Sequence, residues 1–138
     1  MKIKNFAMLA GVAGLLAACG GSSIVEPADL NDQRVFFAFN SSEISDEAHD
    51  NLLGQSLYMK NHADTKSQSA GNCDERGSTE YNLALGARRA NAAKAVLVKD
   101  GIDSKRISTI SYGKERPLVQ GTGEKVWKFN RNATTTVK

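Results

Sequence analysis

The chain has 138 residues, about the size of one ordinary domain, and its 41% hydrophobic and 24% charged content excludes both a disordered tail and a polytopic membrane protein. Lys and Arg number 18 against 15 Asp and Glu, for a net charge of +3. Lys2 and Lys4 supply two of those cations, so the rest of the chain is close to neutral and nucleic acid is not indicated as a partner. The 2 cysteines and 2 histidines are widely spaced and form neither a disulfide scaffold nor a metal-ligand pattern.

The first segment joins a basic start, Met1-Lys2-Ile3-Lys4, to an apolar run from Phe6 to Ala18. That run is too short and too rich in Gly and Ala to span a bilayer, and it reads as an export signal over residues 1–18. It ends in Leu16-Ala17-Ala18-Cys19, which resembles the lipobox of bacterial lipoproteins. That resemblance implies that Cys19 becomes the first mature residue and carries acyl chains. Each buried methylene contributes roughly 0.8 kcal/mol, so two or three chains anchor a small domain firmly. Residues 19–31 are small or polar, lack a period and read as a flexible tether. A folded domain is expected over residues 32–138.

Within that domain, Arg34-Val35-Phe36-Phe37-Ala38-Phe39 is an aromatic and β-branched run that reads as a buried strand, ended by Asn40-Ser41-Ser42. Ser45 suits an N-cap before Asp46 and Glu47, and the apolar residues Ala48, Leu52, Leu53, Leu57 and Met59 predict a helix from Ser45 to Asn61. Thr65 to Ala70 is expected to form a weak, edge-like strand, because Lys66-Ser67-Gln68-Ser69 is polar. Residues 71–79 form a polar loop. Ser78 or Thr79 can cap a second helix from Glu80 to Lys99, with a core stripe of Leu83, Ala90 and Leu97 and the small residues Gly86 and Ala93 between them. Asp100-Gly101 ends it. Arg106 to Ser111 alternates as a strand, Tyr112 to Pro117 reads as a turn, and a Gly-rich loop leads to a last strand from Ala133 to Val137. The expected architecture is α+β, with two main helices on one face of a small mixed sheet.

One constellation carries chemistry. Asp74 lies in the loop before the second helix, and Asn82 and Arg89, seven residues apart, share one face of that helix. A carboxylate can accept from an ammonium and a guanidinium can grip a carboxylate bidentately, so the pair suits a zwitterion. A structural ion pair is the other reading of the same spacing. Cys73 beside Asp74 invites a nucleophile reading, but no His lies near it in sequence, and a structural thiol is the expectation. Trp127 is expected to pack on the core edge or to serve a partner surface. Glu75 and Arg76 are expected either to stabilise the loop or to be solvated.

The run from Gly71 to Ala90, containing Asp74-Glu75-Arg76-Gly77, Glu80-Tyr81-Asn82 and Arg88-Arg89-Ala90, resembles the signature of the peptidoglycan-associated lipoproteins of the OmpA-like C-terminal domain family. Val35-Phe36-Phe37-Ala38-Phe39, Ile107 to Pro117 and Asn130-Arg131 extend the likeness. The resemblance implies a βαβαββ domain that is not an enzyme and holds the diaminopimelate of peptidoglycan stem peptides without a cofactor or metal. By that likeness Asp74 binds the ammonium, Arg89 binds the carboxylate, Asn82 adds hydrogen bonds and orients Arg89, and Phe39, Asn40 and Arg131 complete the site. It also implies an outer-membrane lipoprotein facing the periplasm, with TolB and the other Tol proteins as partners, acting in envelope constriction at division. The alternative is a structural or partner-binding lipoprotein with a weakened or lost grip. The chain departs from the pattern at four places: Asn40 for an aspartate, Ala70 for a glutamate, Asn72 for a histidine and Asn132 for an arginine.

Overall fold

The computed structural model describes residues 23–138, so the expected export signal and Cys19 lie outside the described residues. The elements in chain order are β1 (Gln33–Phe36), α1 (Asp46–Asn61), β2 (Ser67–Asn72), α2 (Thr79–Lys99), a 3-10 turn (Ser104–Arg106), β3 (Ile107–Gly113), α3 (Glu124–Asn130) and β4 (Asn132–Val137). The sheet order is β1-β4-β2-β3, with β1 and β2 antiparallel to β4 and β3 parallel to β2. Among the described residues, no helix is long and apolar enough to cross a membrane.

Both main helices start where their caps dictate. The Ser45 hydroxyl accepts from the Ala48 N–H and the Ser78 hydroxyl from the Tyr81 N–H, each satisfying an otherwise orphaned first-turn donor. Helix α2 ends at Gly101, whose φ of 109° is open to glycine at little cost. The helices share one sheet face, as side-chain parity shows. Ser67 donates to Met59 Sδ of α1 at 3.8 Å, Ser69 to the Ala90 carbonyl of α2 at 3.0 Å, and Thr135 to Gln55 of α1 at 2.6 Å. The core beneath them holds Leu30, Val35, Phe37, Leu52, Met59, Leu97, Ile102 and Ile107.

The structure corrects several expectations. Strand β2 is central, between β4 and β3, rather than edge-like. Its polar residues are tolerated there because the serines find partners on the helices, and because Gly71 and Gly86 let α2 approach the strand backbone. A Cβ at Gly71 would collide with the Gly86 carbonyl, so helix and strand touch main chain to main chain. The stripe of α2 is also different: Leu83 is exposed, while Asn82, Leu85, Gly86, Arg89, Ala90, Ala93 and Leu97 face inward. The inward face thus carries two polar side chains in its first half, which apolar periodicity cannot register. The first strand ends at Phe36 and lies at the sheet edge, burying Val35 and leaving Phe36 exposed. The strand β3 continues through Tyr112 and Gly113, both expected in a turn. The loop before the last strand contains the helix α3, too short for a periodic signal. Leu30, expected in the tether, is fully buried in the core, and Glu26 accepts from Asn61 at 2.8 Å, so the chain packs on the domain before residue 32.

Candidate functional site

Four segments converge at one end of the sheet: the loop after β1, the loop between β2 and α2, the first turns of α2, and α3 with the start of β4. They surround a small hollow lined by Phe39, Asn40, Cys73, Asp74, Arg76, Asn82, Leu85 and Arg89. Sequence spacing placed Asp74 and Arg89 at a common hollow, and the structure brings them there. The pairing differs from a direct ion pair between the two.

Asp74 is buried at 4% exposure. Its carboxylate accepts from Arg76 through the backbone N–H at 3.0 Å, Nε at 3.2 Å and Nη2 at 2.8 Å, and from Arg131 Nη1 at 3.3 Å. Burial raises its pKa, but the hydrogen bonds and charges of Arg76 and Arg131 outweigh burial and hold it below the ordinary carboxylate value. Asp74 is therefore ionised at neutral pH.

Arg89 is completely buried on α2. Nε donates to the Ser41 carbonyl at 2.8 Å, Nη1 to that of Asn72 at 2.9 Å and Nη2 to that of Ala38 at 3.0 Å, so one guanidinium ties the β1 loop to the end of β2. Burial is the main force lowering its pKa. No carboxylate lies within ion-pair distance of it among the described residues. A guanidinium has five N–H donors, and three are accounted for by these carbonyls. The site thus holds a buried cation without an anion, an arrangement that favours an incoming carboxylate.

Asn82 is 1% exposed and donates to the carbonyls of Arg76 and Ser78 at 2.8 and 3.0 Å. These bonds hold the Asp74 loop on the helix start. They do not run to Arg89, contrary to the orienting role expected for Asn82. Asn40 sits at φ 57°, a left-handed conformation that Asn tolerates well, and its Oδ1 accepts from the Tyr81 hydroxyl at 2.9 Å. Arg131 is held by the Phe37 carbonyl at 2.8 Å and by Glu124 at 2.8 and 3.0 Å. Cys73 is buried, donates to the Asn82 carbonyl, and burial pushes its thiol up, away from nucleophilic thiolate chemistry.

Spacing left the roles of Arg76 and Trp127 open. The Arg76 guanidinium lies between two aromatic rings, 3.8 Å from the Phe39 centroid and 3.9 Å from that of Trp127. Glu75 fixes the indole by accepting from Trp127 Nε1 at 2.7 Å, and it also accepts from Thr122. Arg76 therefore lies across the hollow as a cover, leaving about 10 Å³ inside, barely room for one water. Arg76 stands two residues from Asp74 in the sequence; the rings that hold it come from positions 39 and 127, and only the fold unites them.

The model of the OmpA family matches residues 36–131. A peptidoglycan-associated lipoprotein of Mesorhizobium japonicum is 42% identical, with 99% of this chain aligned to 80% of that protein. One from Pasteurella multocida is 37% identical over 96% of both chains. The chain belongs to the OmpA family, among its peptidoglycan-associated lipoproteins. The fold agrees with that membership. The crystal structure of the peptidoglycan-associated lipoprotein from Burkholderia pseudomallei superposes with a TM-score of 0.74 at 36% identity, covering 76% of this chain and 89% of that one. The C-terminal domain of Helicobacter pylori MotB, at 17% identity and a TM-score of 0.71, shares the fold. The elements that build the hollow, from Phe36 to Arg131, are those the family model spans.

Proposed function

We propose that the chain anchors the bacterial envelope by holding peptidoglycan non-covalently through the diaminopimelate of its stem peptides, and that it acts by binding rather than catalysis. The observation that carries this reading is the fully buried Arg89, which lacks a carboxylate partner and borders the same hollow as the ionised Asp74. The side-chain tip of diaminopimelate is an ammonium and a carboxylate on one carbon. Its carboxylate would take the free donors of Arg89, and its ammonium would take Asp74. The names of the relatives supply the ligand class.

The hollow as it stands is too small for that tip, so binding requires Arg76 to leave Asp74. Arg76 is about one-third exposed, and its withdrawal from between Phe39 and Trp127 would open the site to solvent. The ligand ammonium then replaces one cation by another at Asp74. Phe39 and Asn40 would form one wall, and Arg131 would hold the Asp74 loop and α3 in place. Lysine-type stems lack the distal carboxylate and would leave Arg89 unpaired.

A lipid on Cys19 would fix the other end in the outer membrane, with the domain in the periplasm. Two modest grips joined through one chain act by effective concentration, so weak affinity for each stem peptide suffices. The Tol proteins, TolB first, would be the partners during constriction. Sedimentation with purified sacculi tests the reading: the unmodified chain should sediment, and Asp74→Asn should stay in the supernatant. An unmodified chain left in the supernatant would favour a structural lipoprotein whose grip is lost, a reading supported by the covered hollow.

A further inference from the structure

The face of the sheet turned away from α1 and α2 holds a second, larger concavity of about 390 Å³, in the size range of ligand sites. Its floor follows strand parity: Gln68, Ala70 and Asn72 of β2, and Asn132, Thr134 and Thr136 of β4. Tyr112 of β3 and Arg116, Pro117 and Leu118 of the segment after it form one wall, and Arg34 stands on β1 at the opposite edge. None of the lining residues is acidic. Neither Arg34 nor Arg116 has a carboxylate partner among the described residues. Arg116 is held over the Tyr112 ring at 3.7 Å, which fixes one cation in place.

The floor is also locked. The Nδ2 of Asn132 donates to the Phe129 carbonyl, so its Oδ1 faces Asn72 and Thr134 and accepts from both, at 3.0 and 2.8 Å. Asn72 must therefore present Nδ2 to Asn132, and its own Oδ1 is left buried without a partner, in a side chain 8% exposed. Ala70, Asn72 and Asn132 leave this part of the floor small and uncharged.

We propose that this face binds a carboxylate-bearing oligosaccharide, lying across the strands between Arg34 and Arg116. Arg34 and Arg116 reach the β4–β2 floor from opposite sides, so a chain with anionic groups at intervals can meet both, where a single small anion would meet one. The Gln68 amide and the Thr136 hydroxyl can both donate and accept, and the Thr134 hydroxyl oxygen can still accept, matching sugar hydroxyls. The recessed shape disfavours a flat lipid surface, and the site lies on a sheet face, without the free main-chain edge on which an extended acidic peptide would add as a strand. This proposal is independent of the reading of Asp74 and Arg89.

The test titrates the full chain in mild detergent with tetragalacturonic acid, with neutral chitotetraose, and with phosphatidylglycerol vesicles. Tetragalacturonic acid should bind, with shifts at the Gln68, Thr134 and Thr136 amides, and chitotetraose should bind at least tenfold more weakly. Arg34→Gln and Arg116→Gln should each weaken binding roughly tenfold or more, since each removes charge-assisted contacts. Ala70→Glu, checked for folding by circular dichroism, should abolish it by placing an acid on the floor. Asp74→Asn should leave it unchanged. Peptidoglycan glycan strands stripped of peptides, whose muramyl carboxylates are free, then separate an envelope source from a polyuronate source. Equal binding of the neutral and acidic tetramers, insensitivity to both arginine substitutions, or binding to vesicles alone would overturn the proposal.

Discussion

Replacing Asp74 by Asn keeps the side-chain volume and removes one charge from beneath two guanidinium groups. The carboxylate accepts three bonds from Arg76 and one from Arg131. A buried charged partner is worth about 3–5 kcal/mol when removed. Two features reduce that figure here: Arg76 is 32% exposed and can turn to water, and Arg131 keeps its two bonds to Glu124. The expected loss at neutral pH is therefore about 2–3 kcal/mol, or roughly 10 °C in Tm. The pH dependence follows from the depressed pKa of Asp74. Its contribution is fully present above the unfolded carboxyl value, near 3.8, and is lost as pH falls through the lower folded value. The gap between the two proteins should be widest at neutral pH and should close in strong acid. Urea unfolding followed by far-ultraviolet circular dichroism at pH 7 and pH 2.5 measures it, while the fluorescence of the single Trp127 reports on the Arg76 stack separately. A loss below about 0.5 kcal/mol at pH 7, or a gap that stays constant into acid, would refute the assignment of Asp74 as the buried anion that organises this end of the domain.

Other consequences are as direct. Arg76→Ala uncovers the hollow, so a diaminopimelate-containing muropeptide should bind several-fold more tightly by calorimetry, at some cost in stability; weaker binding would mean that Arg76 contacts the ligand. Gly71→Ala drives a methyl group into the Gly86 carbonyl and should cost about 3 kcal/mol or more in urea unfolding, because backbone cannot step aside as a side chain can. Leu30→Ala should cost about 2–5 kcal/mol although it lies near the start of the domain, and a near-neutral result would return residues 23–31 to the status of a loose tether. Cys73 should react with thiol reagents only on unfolding, and Cys73→Ser should retain binding to sacculi in the sedimentation assay.

Both long helices were legible in the sequence because their signals are local: Ser45 and Ser78 cap them, and Gly101 ends α2 in a conformation that suits glycine. Asp74 and Arg89 were legible as candidates because a loop acid just before a helix and a base on that helix can face a common hollow, although spacing alone left an ion pair between them also open. Strand β2 was misplaced because Ser67, Gln68 and Ser69 look like surface until their partners on the helices are known. The inward turn of Arg89 could not be read either, since its partners are the carbonyls of residues 38, 41 and 72, and a carbonyl carries no side-chain signature. The seating of Arg76 between Phe39 and Trp127 joins residues 88 positions apart in the chain. Local hydrogen bonding and periodicity thus determined the helices, and the spacing of Asp74, Asn82 and Arg89 pointed to one end of the second helix. Long-range packing alone decided which arginine stands on Asp74, which is left without an anion, and which face of the sheet stays open.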